Sequence, residues 1–496
     1  MDNLSCRNRC ASSGDMRCQC TSLFGGRFIR LPLVVLIAAL SVPAFQARAQ
    51  NAAPPAGAES TVQLVEPPGP GQSTPPVTIT LQDALDRARK NDAGYLAAVG
   101  DAKSAHEDRQ QARNAMLPSL NESTQYLNTQ ANGAQAQGEI PEGRFVTNDG
   151  VHVYREWAVL HQDLSPNTYM LTGIHRADAL EAIAKAKSEI ARRGLTVTVT
   201  RTYYNLAVSQ RNYSTAQQAL DTARRFMTIT EDEERAGQAA HSDVVKAQIQ
   251  FQQQQQAFDE ARLSMEGARL DLAVLLFPTL NENFTIVDDM DSPVALPPFT
   301  EVQGMAEKQN PELRVAEETL RAANLDVSAA KNAFLPSLSI DADWGIEANH
   351  FALNSTWATH PNVGPVPTLG YFLTAALNIP VWDWGTLHSR LHQTEYRQQQ
   401  ARMELSQTQR QMLGNLYSFY NEAAVARNAV DESRRTADLA AESLRLVNLR
   451  YQAGASTVLE VVDAENTLAT SRNAYSSTEA RYRLALANLQ TLTGNF

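Results

Sequence analysis

The chain has 496 residues, 43% of them hydrophobic, and a formal charge of −11. So acidic a chain is a poor candidate for nucleic-acid binding, since phosphate contacts need clustered cations. All four cysteines, Cys6, Cys10, Cys18 and Cys20, lie near the start, ahead of the first apolar block.

That block, residues 31–42, follows Arg27 and Arg30 and runs on to Ala47-Arg48-Ala49. The order is that of a secretory signal peptide over residues 1–49, cleaved after Ala49. A membrane anchor is the other reading of such a segment, but about a dozen apolar residues fall short of the ~20 of a spanning helix. The stretch before Arg27 is longer than a usual signal start, which leaves Met16 as a second candidate start. Cleavage removes every cysteine, so the mature chain has no disulfide, no thiolate nucleophile and no cysteine to carry a lipid. It also removes six Arg and two Asp, taking the formal charge to −15.

Residues 50–77 hold Pro54, Pro55, Pro67, Pro68, Pro70, Pro75 and Pro76 and read as an extended or disordered lead-in. No later run of 18 apolar residues occurs, so any membrane crossing falls to strands.

From residue 78 the chain is written twice. Asn114-Ala115-Met116-Leu117-Pro118-Ser119-Leu120 returns as Asn332-Ala333-Phe334-Leu335-Pro336-Ser337-Leu338, offset by 218, and Ala236-Gly237 with Val244-Val245 returns as Ala453-Gly454 with Val461-Val462, offset by 217. The same spacing aligns Leu160 with Leu377 and Leu272 with Leu489. One spacing held over so long a stretch indicates tandem duplication, with a first repeat over 78–277, a linker over 278–299 and a second repeat over 300–496.

Each repeat opens with a helical pattern, over 81–115 and over 302–334, that ends just before Pro118 or Pro336. Beyond those prolines the period becomes two. Leu338, Ile340, Ala342, Trp344 and Ile346 share one side and Ser337, Ser339, Asp341, Asp343 and Gly345 the other; the returning strand puts Tyr371, Leu373, Ala375 and Leu377 on one face. The first-repeat pair, near 119–128 and 153–164, alternates less cleanly. About ten residues is the length of a tilted transmembrane strand, although a soluble hairpin with one buried face has the same period. The five tryptophans favour the membrane. Trp157, Trp344, Trp357, Trp382 and Trp384 all lie in these strands, their connecting loop or their ends, and Trp157, Trp344, Trp382 and Trp384 are the expected interface aromatics. The loops over 130–152 and 348–370 join paired strands and are expected to face outside the cell.

A long polar helix follows in each repeat, from about 167 to 235 and from about 387 to 452. It breaks at Gly237 or Gly454, and a helix returns to about 277 or 492. Val461, Leu468, Tyr475, Tyr482 and Leu489 recur every seven residues, with Ala464, Ser471, Thr478 and Ala485 three further on, which is a coiled-coil seam. The fold class is therefore mainly α with a β-barrel portion: long antiparallel coiled-coil helices plus four transmembrane strands.

The two Leu-Pro-Ser-Leu strand starts resemble the outer-membrane efflux protein family, the TolC-like exit ducts of Gram-negative bacteria. So do Asn310-Pro311-Glu312-Leu313, the segment Ile379-Pro380-Val381-Trp382-Asp383-Trp384-Gly385, and the turn Tyr451-Gln452-Ala453-Gly454-Ala455-Ser456-Thr457 with Val458-Leu459-Glu460-Val461-Val462-Asp463-Ala464. The resemblance covers about 77–495. It implies a homotrimer closing a twelve-stranded barrel in outer-membrane lipid, a helical tunnel through the periplasm, and work with a periplasmic adaptor and an inner-membrane pump. Four strands alone cannot close a barrel, so association is required on physical grounds as well.

The resemblance also implies a gate at the periplasmic helical end. Asp243 and Glu460 each follow a break glycine by six residues, and Asp463 lies one turn beyond Glu460. Repeated round a trimer axis, such carboxylates form rings that attract cations. They are equally ordinary acids at helix starts, favoured by the dipole. Tyr451 and Asp243 match one polar link of the family's closed state, whereas Ser456 stands where some members have an arginine. Gly237 and Gly454 mark the tips expected to meet the adaptor. No enzyme signature appears: there is no His-Glu-x-x-His pairing, Gly-rich phosphate loop or Gly-x-Ser-x-Gly elbow, so no cofactor or metal is implied. A periplasmic coiled-coil adaptor or scaffold without a barrel is the alternative; it explains the helices but not the strands or the tryptophans.

Overall fold

The computed structural model describes residues 77–128, 152–237, 239–278, 283–292, 294–348, 353–358, 365–453 and 455–494. The signal peptide, the lead-in as far as residue 76, the loop over 130–151 and the tip glycine Gly454 lie outside these.

The first half begins with a short strand, β1 (Val77–Ile79), then α1 (Leu81–Asn91) and α2 (Ala93–Asn114). Thr80 starts α1 with a reciprocal capping box, its side chain accepting from the Asp83 N–H while the Asp83 carboxylate accepts from the Thr80 N–H. The sequence predicts one helix over 81–115; the structure breaks it at Asp92. That residue is extended, closes α1 by donating its N–H to the Ala88 carbonyl, and opens α2 by accepting the Tyr95 N–H at 2.6 Å. Then come β2 (Ser119–Asn128), β3 (His152–Asp163), the short α3 (Pro166–Tyr169), α4 (Thr172–Arg235), α5 (His241–Leu276) and β4 (Phe284–Ile286).

The second half repeats the order with α6 (Phe299–Gln309), α7 (Pro311–Asn332), β5 (Ser337–Ala348), the small β6 (Asn354–Ala358) and β7 (Pro365–Pro367), β8 (Leu369–Asn378), α8 (Thr386–Gln452) and α9 (Val458–Thr493). Asn310 plays the part of Asp92, capping α7 by accepting the Leu313 N–H, with Pro311 at the first helical position. The lengths agree element for element: α1 and α6 have 11 residues each, α2 and α7 have 22, and α5 and α9 have 36. The longest helices, α4 with 64 residues and α8 with 67, run to roughly 100 Å at 1.5 Å per residue. No helix among the described residues is long and apolar enough to cross a membrane.

Four strands form one antiparallel sheet in the order β2-β3-β5-β8. Its centre, β3 against β5, joins the two halves in register from Tyr154 opposite Ala348 to Asp163 opposite Ser339. The outer edges of β2 and β8 have no partner strand among the described residues.

The main core lies midway along the helices. Ile79, Ala84 and Ala88 pack with Val199, Tyr203 and Leu206 of α4, with Leu272 and Leu276 of α5, and with Phe284. The equivalent cluster of the second half holds Val302, Ala306, Leu416, Leu489 and Leu492. Leu272 and Leu489, aligned by the repeat spacing, are both fully buried. The coiled-coil seam is likewise inside, with Val461, Ala464, Tyr482, Ala485 and Leu489 buried.

The segment between the halves does more than connect them. Strand β4 pairs in parallel with β1, and the Tyr203 hydroxyl donates to the Val287 carbonyl at 2.6 Å and the Ile79 carbonyl at 3.2 Å. Burial in this knot pushes the Tyr203 phenol up to about 12. Arg483 donates to the carbonyls of Asp289, Met290 and Ser292, Tyr482 to that of Val294, and Tyr420 to that of Pro297. Arg211 of α4 meets Asp288, Asp291 and Glu479. Long helices of both halves thus hold the segment by its backbone.

Candidate functional site

Two places carry the functional reading: the faces of the four-stranded sheet, and the turns at the far ends of the long helices.

The sheet register sorts its side chains. Leu120, Leu160, Ala342 and Leu373 follow one another across the strands on one face, as do Ala158, Trp344 and Tyr371 at another level. These are exposed where they are large: Trp344 is 58% exposed, and Leu120, Leu373 and Leu377 are also open. This face is apolar along β5 and β8, where bare leucines flanked by aromatics are costly in water and stable against hydrocarbon, whereas Glu122 and Glu156 interrupt it on β2 and β3. The aromatics fall at two levels. Tyr169, Trp382 and Trp384 stand exposed where the strands meet the helices, with the two tryptophan rings 5.7 Å apart. Trp344 lies seven residues along β5 from its start at Ser337, with Tyr371 opposite it. At about 3.3 Å per residue this is roughly 23 Å along the strand, which at the ~40° tilt of barrel strands spans roughly 18 Å of a ~25 Å apolar band. Tyr126 and Tyr154 pair nearby, their ring centroids 5.1 Å apart.

Trp157 does not belong to this girdle. Trp157 pairs with Gly345 whereas Trp344 pairs with Ala158, so the period of two puts the two tryptophans on opposite faces. Trp157 packs edge-to-face on Phe372 at 4.3 Å, among polar neighbours that include the Arg155–Glu347 ion pair. His161 and Asp341, joined at 2.5 Å, share that polar face. Pro118 and Pro336 stand immediately before β2 and β5, as the sequence predicts.

At the other end, α4 stops at Arg235 and Gly237 turns the chain with a positive φ of 76°, donating its N–H to the Glu234 carbonyl. Helix α5 then starts at His241. In the second half Thr457 caps α9 by accepting the Glu460 N–H. The Ser456 hydroxyl donates to the Glu460 carboxylate at 2.6 Å, and Arg450 approaches it at 3.7 Å. Ser456 first, then Arg450 and the Thr457 backbone, hold the Glu460 carboxyl below its usual range. Ser456 therefore closes its own turn.

Tyr451 does cross between the two hairpins, but to a residue the sequence reasoning missed. Its hydroxyl donates to Glu233 at 3.1 Å, near the end of α4, and its ring rests 5.5 Å from Phe226. The expected partner Asp243 instead pairs with Lys246 at 3.3 Å, because it sits in the first turn of α5, where Lys246 comes round one turn later. Burial and then the Glu233 contact raise the Tyr451 phenol; Asp243 acts on it only at longer range. The acidic run Glu231-Asp232-Glu233-Glu234 was the available sequence signal. Asp463 is exposed one turn beyond Glu460. Deeper along α9, burial alone pushes the Glu465 carboxyl up to about 7. Gln250 and Gln254 of α5 reach Asn466 at 3.4 and 3.1 Å, a second bridge between the hairpins. No group of three or more His, Cys, Asp or Glu suited to a metal ion occurs among the described residues.

Known proteins are similar to this chain in sequence or in fold. The pyoverdine export outer membrane protein OpmQ of Pseudomonas putida is 26% identical over 302 residues, covering 59% of this chain and 58% of OpmQ. The alkaline protease secretion protein AprF of Pseudomonas aeruginosa is 21% identical over 425 residues, 84% of each chain. The crystal structure of the outer membrane protein VceC of Vibrio cholerae superposes with a TM-score of 0.68 at 18% identity, over 84% of this chain and 96% of VceC. The sequence model described as outer membrane efflux protein matches residues 169–276 and 302–495, which takes in the long helices of both halves, β5 and β8, and on this match the chain belongs to the outer membrane efflux protein family.

Proposed function

We propose that the chain is one protomer of a homotrimeric exit duct in the outer membrane, exported by its signal peptide and starting near Gln50 when mature. The observation that carries this is the sheet: four antiparallel strands whose exposed face is apolar and aromatic-flanked along β5 and β8, with two edges unpaired among the described residues, continuous with helices about 100 Å long. Bare edges are not tolerated in lipid, and three copies of four strands close a twelve-stranded barrel. The helices then form the tunnel in the periplasm, and the loops over 130–152 and 348–370 face outside.

In this arrangement the turns at Gly237 and Gly454 form the periplasmic mouth and meet an adaptor, which joins the duct to an inner-membrane pump. The Tyr451–Glu233 contact holds the two hairpins of a protomer together at that mouth. Asp243, Glu460 and Asp463, repeated round the axis, give it rings of negative charge that favour cations. The names of OpmQ and AprF speak of pyoverdine export in one case and alkaline protease secretion in the other. A passive duct, with cargo chosen by its partners, accommodates both.

The test is fractionation with electrophoresis of the unheated, detergent-extracted protein. The expected result is an outer-membrane species that migrates as a trimer and collapses to a monomer on heating. Recovery as a soluble periplasmic monomer overturns the proposal.

A further inference from the structure

On the polar face of the sheet, Trp157 and Phe372 meet edge-to-face across the intervening strand β5, where Trp157 lies opposite Gly345. They form one wall of a cavity of about 440 Å³, together with Val159, Gln125 and the Arg155–Glu347 pair. That volume falls in the range of small-molecule sites, typically about 300–1,000 Å³.

Three features define what would fill it. The apolar wall is two aromatic rings, which stack best with another flat ring. The rim is electrically balanced, because Arg155 is held by Glu347 at 2.8 Å and also donates to Gln125 at 3.2 Å, so no free charge selects an ion. The indole Nε1 of Trp157 is buried and donates to nothing among the described residues. A buried donor without an acceptor costs about 1–3 kcal/mol, which a ligand acceptor recovers once the indole ring tilts to bring the N–H to the cavity surface.

We infer that this cavity is a transit subsite on the barrel's inner wall for uncharged, flat aromatic molecules carrying a hydrogen-bond acceptor, with the rings of Trp157 and Phe372 as its platform and the Trp157 N–H as its donor. The inference rests on the duct reading, which turns this face of the sheet toward the channel. Transit requires the solute to leave again, and one hydrogen bond with one stacking wall gives weak, reversible binding rather than capture.

Coumarin, a planar bicycle with a ring carbonyl, and 2H-chromene, the same skeleton without that carbonyl, separate the contributions. Binding is measured by equilibrium dialysis against the detergent-purified full-length trimer. Wild-type protein is expected to bind coumarin saturably and more tightly than chromene. Trp157→Phe keeps a ring but removes the donor; it should weaken coumarin about three- to tenfold, the worth of one net hydrogen bond, and leave chromene unchanged. Phe372→Ala should weaken both. A wild-type trimer with no saturable coumarin binding overturns the inference. So does a coumarin-to-chromene ratio that Trp157→Phe leaves unchanged, the result expected if the indole N–H rests against the Phe372 ring. A correctly assembled outer-membrane trimer that ignores coumarin defeats this inference alone, whereas failure to assemble in the outer membrane defeats the duct reading beneath it.

Discussion

The Tyr451 hydroxyl donates to the Glu233 carboxylate across 3.1 Å, joining the last turn of α8 to the last turn of α4. This is a side-chain link between the hairpins of the two halves close to their turns. Removing the phenol oxygen with Tyr451→Phe leaves the ring against Phe226 but frees the hairpins, at a cost of about 1 kcal/mol for one partly exposed hydrogen bond. Planar-bilayer recording should show a higher open probability for Tyr451→Phe and for Glu233→Gln. The double variant should add little to either, because both remove the same contact. Additive effects would mean that the two residues act separately.

Glu465 gives the fold's stability a pH dependence. Its carboxyl is raised to about 7 by burial, against about 4.5 in the unfolded chain. The native state therefore holds a proton that the unfolded chain has lost, and its stability falls as pH rises from 4.5 to 7 and then levels off. Glu465→Gln should be stabilising by about 1 kcal/mol at pH 8, a value discounted for partial exposure. It should be neutral at pH 4. Thermal unfolding of the trimer at the two pH values checks the sign. An equal shift at both would exclude the carboxyl as its source.

Arg211 neutralises Glu479, whose side chain is only 6% exposed, while also meeting Asp288 and Asp291. Arg211→Ala leaves the buried Glu479 carboxylate with the Tyr475 hydroxyl but no cation and should cost about 3 kcal/mol, most of it from Glu479. Burial already raises the Glu479 carboxyl. Acid should therefore rescue the variant by protonating that group, and Arg211→Ala with Glu479→Gln should be more stable than Arg211→Ala alone. Thermal unfolding of the single and double variants decides.

Gly345 and Gly370 face each other across β5 and β8 yet differ in tolerance. A Cβ on Gly345 would stand 1.9 Å from the Glu156 carbonyl oxygen, whereas one on Gly370 would meet nothing within 4 Å. Gly345→Ala should displace β3 from β5 at a cost of about 3 kcal/mol or more and lower the yield of heat-modifiable trimer. Gly370→Ala should assemble normally. Equal yields would remove the close approach as a constraint on assembly.

The change of period after Pro118 and Pro336 made the helix-to-strand order legible, because a proline disfavours helix for the residue before it and an alternating pattern follows. The heptads of α9 were legible for a similar reason: their burial repeats along a single element. The hinge at Asp92 was not. No proline marks it, Gly94 falls inside the first turn of α2, and the break comes from an aspartate that caps the following helix. Its counterpart at Asn310 was missed as well: the pattern over 302–334 reads as one helix although Pro311 stands beside the break. The β1–β4 pair escaped notice because three-residue strands have no readable period, and their partnership depends on packing against α4. Asp243 was chosen over Glu233 for a related reason. Which acid meets Tyr451 is fixed by the relative axial positions of α4 and α8, not by spacing along either helix. The opposite side of Trp157, in contrast, was recoverable in principle from strand parity, once β3 had been registered against β5.

The Tyr203 knot has a bearing on biogenesis. Strand β1 leads the described chain, yet its partner β4 lies about 200 residues downstream, and the hydroxyl that fastens them is carried by a helix from between the two. A polypeptide threaded into a new compartment from its N-terminus must keep β1 waiting, unpaired, until nearly half the sequence has followed. Contacts so distant in sequence form late. Synthesis halted before residue 284 should leave a chain dependent on holding factors, whose leading segment remains open to proteolysis until β4 arrives.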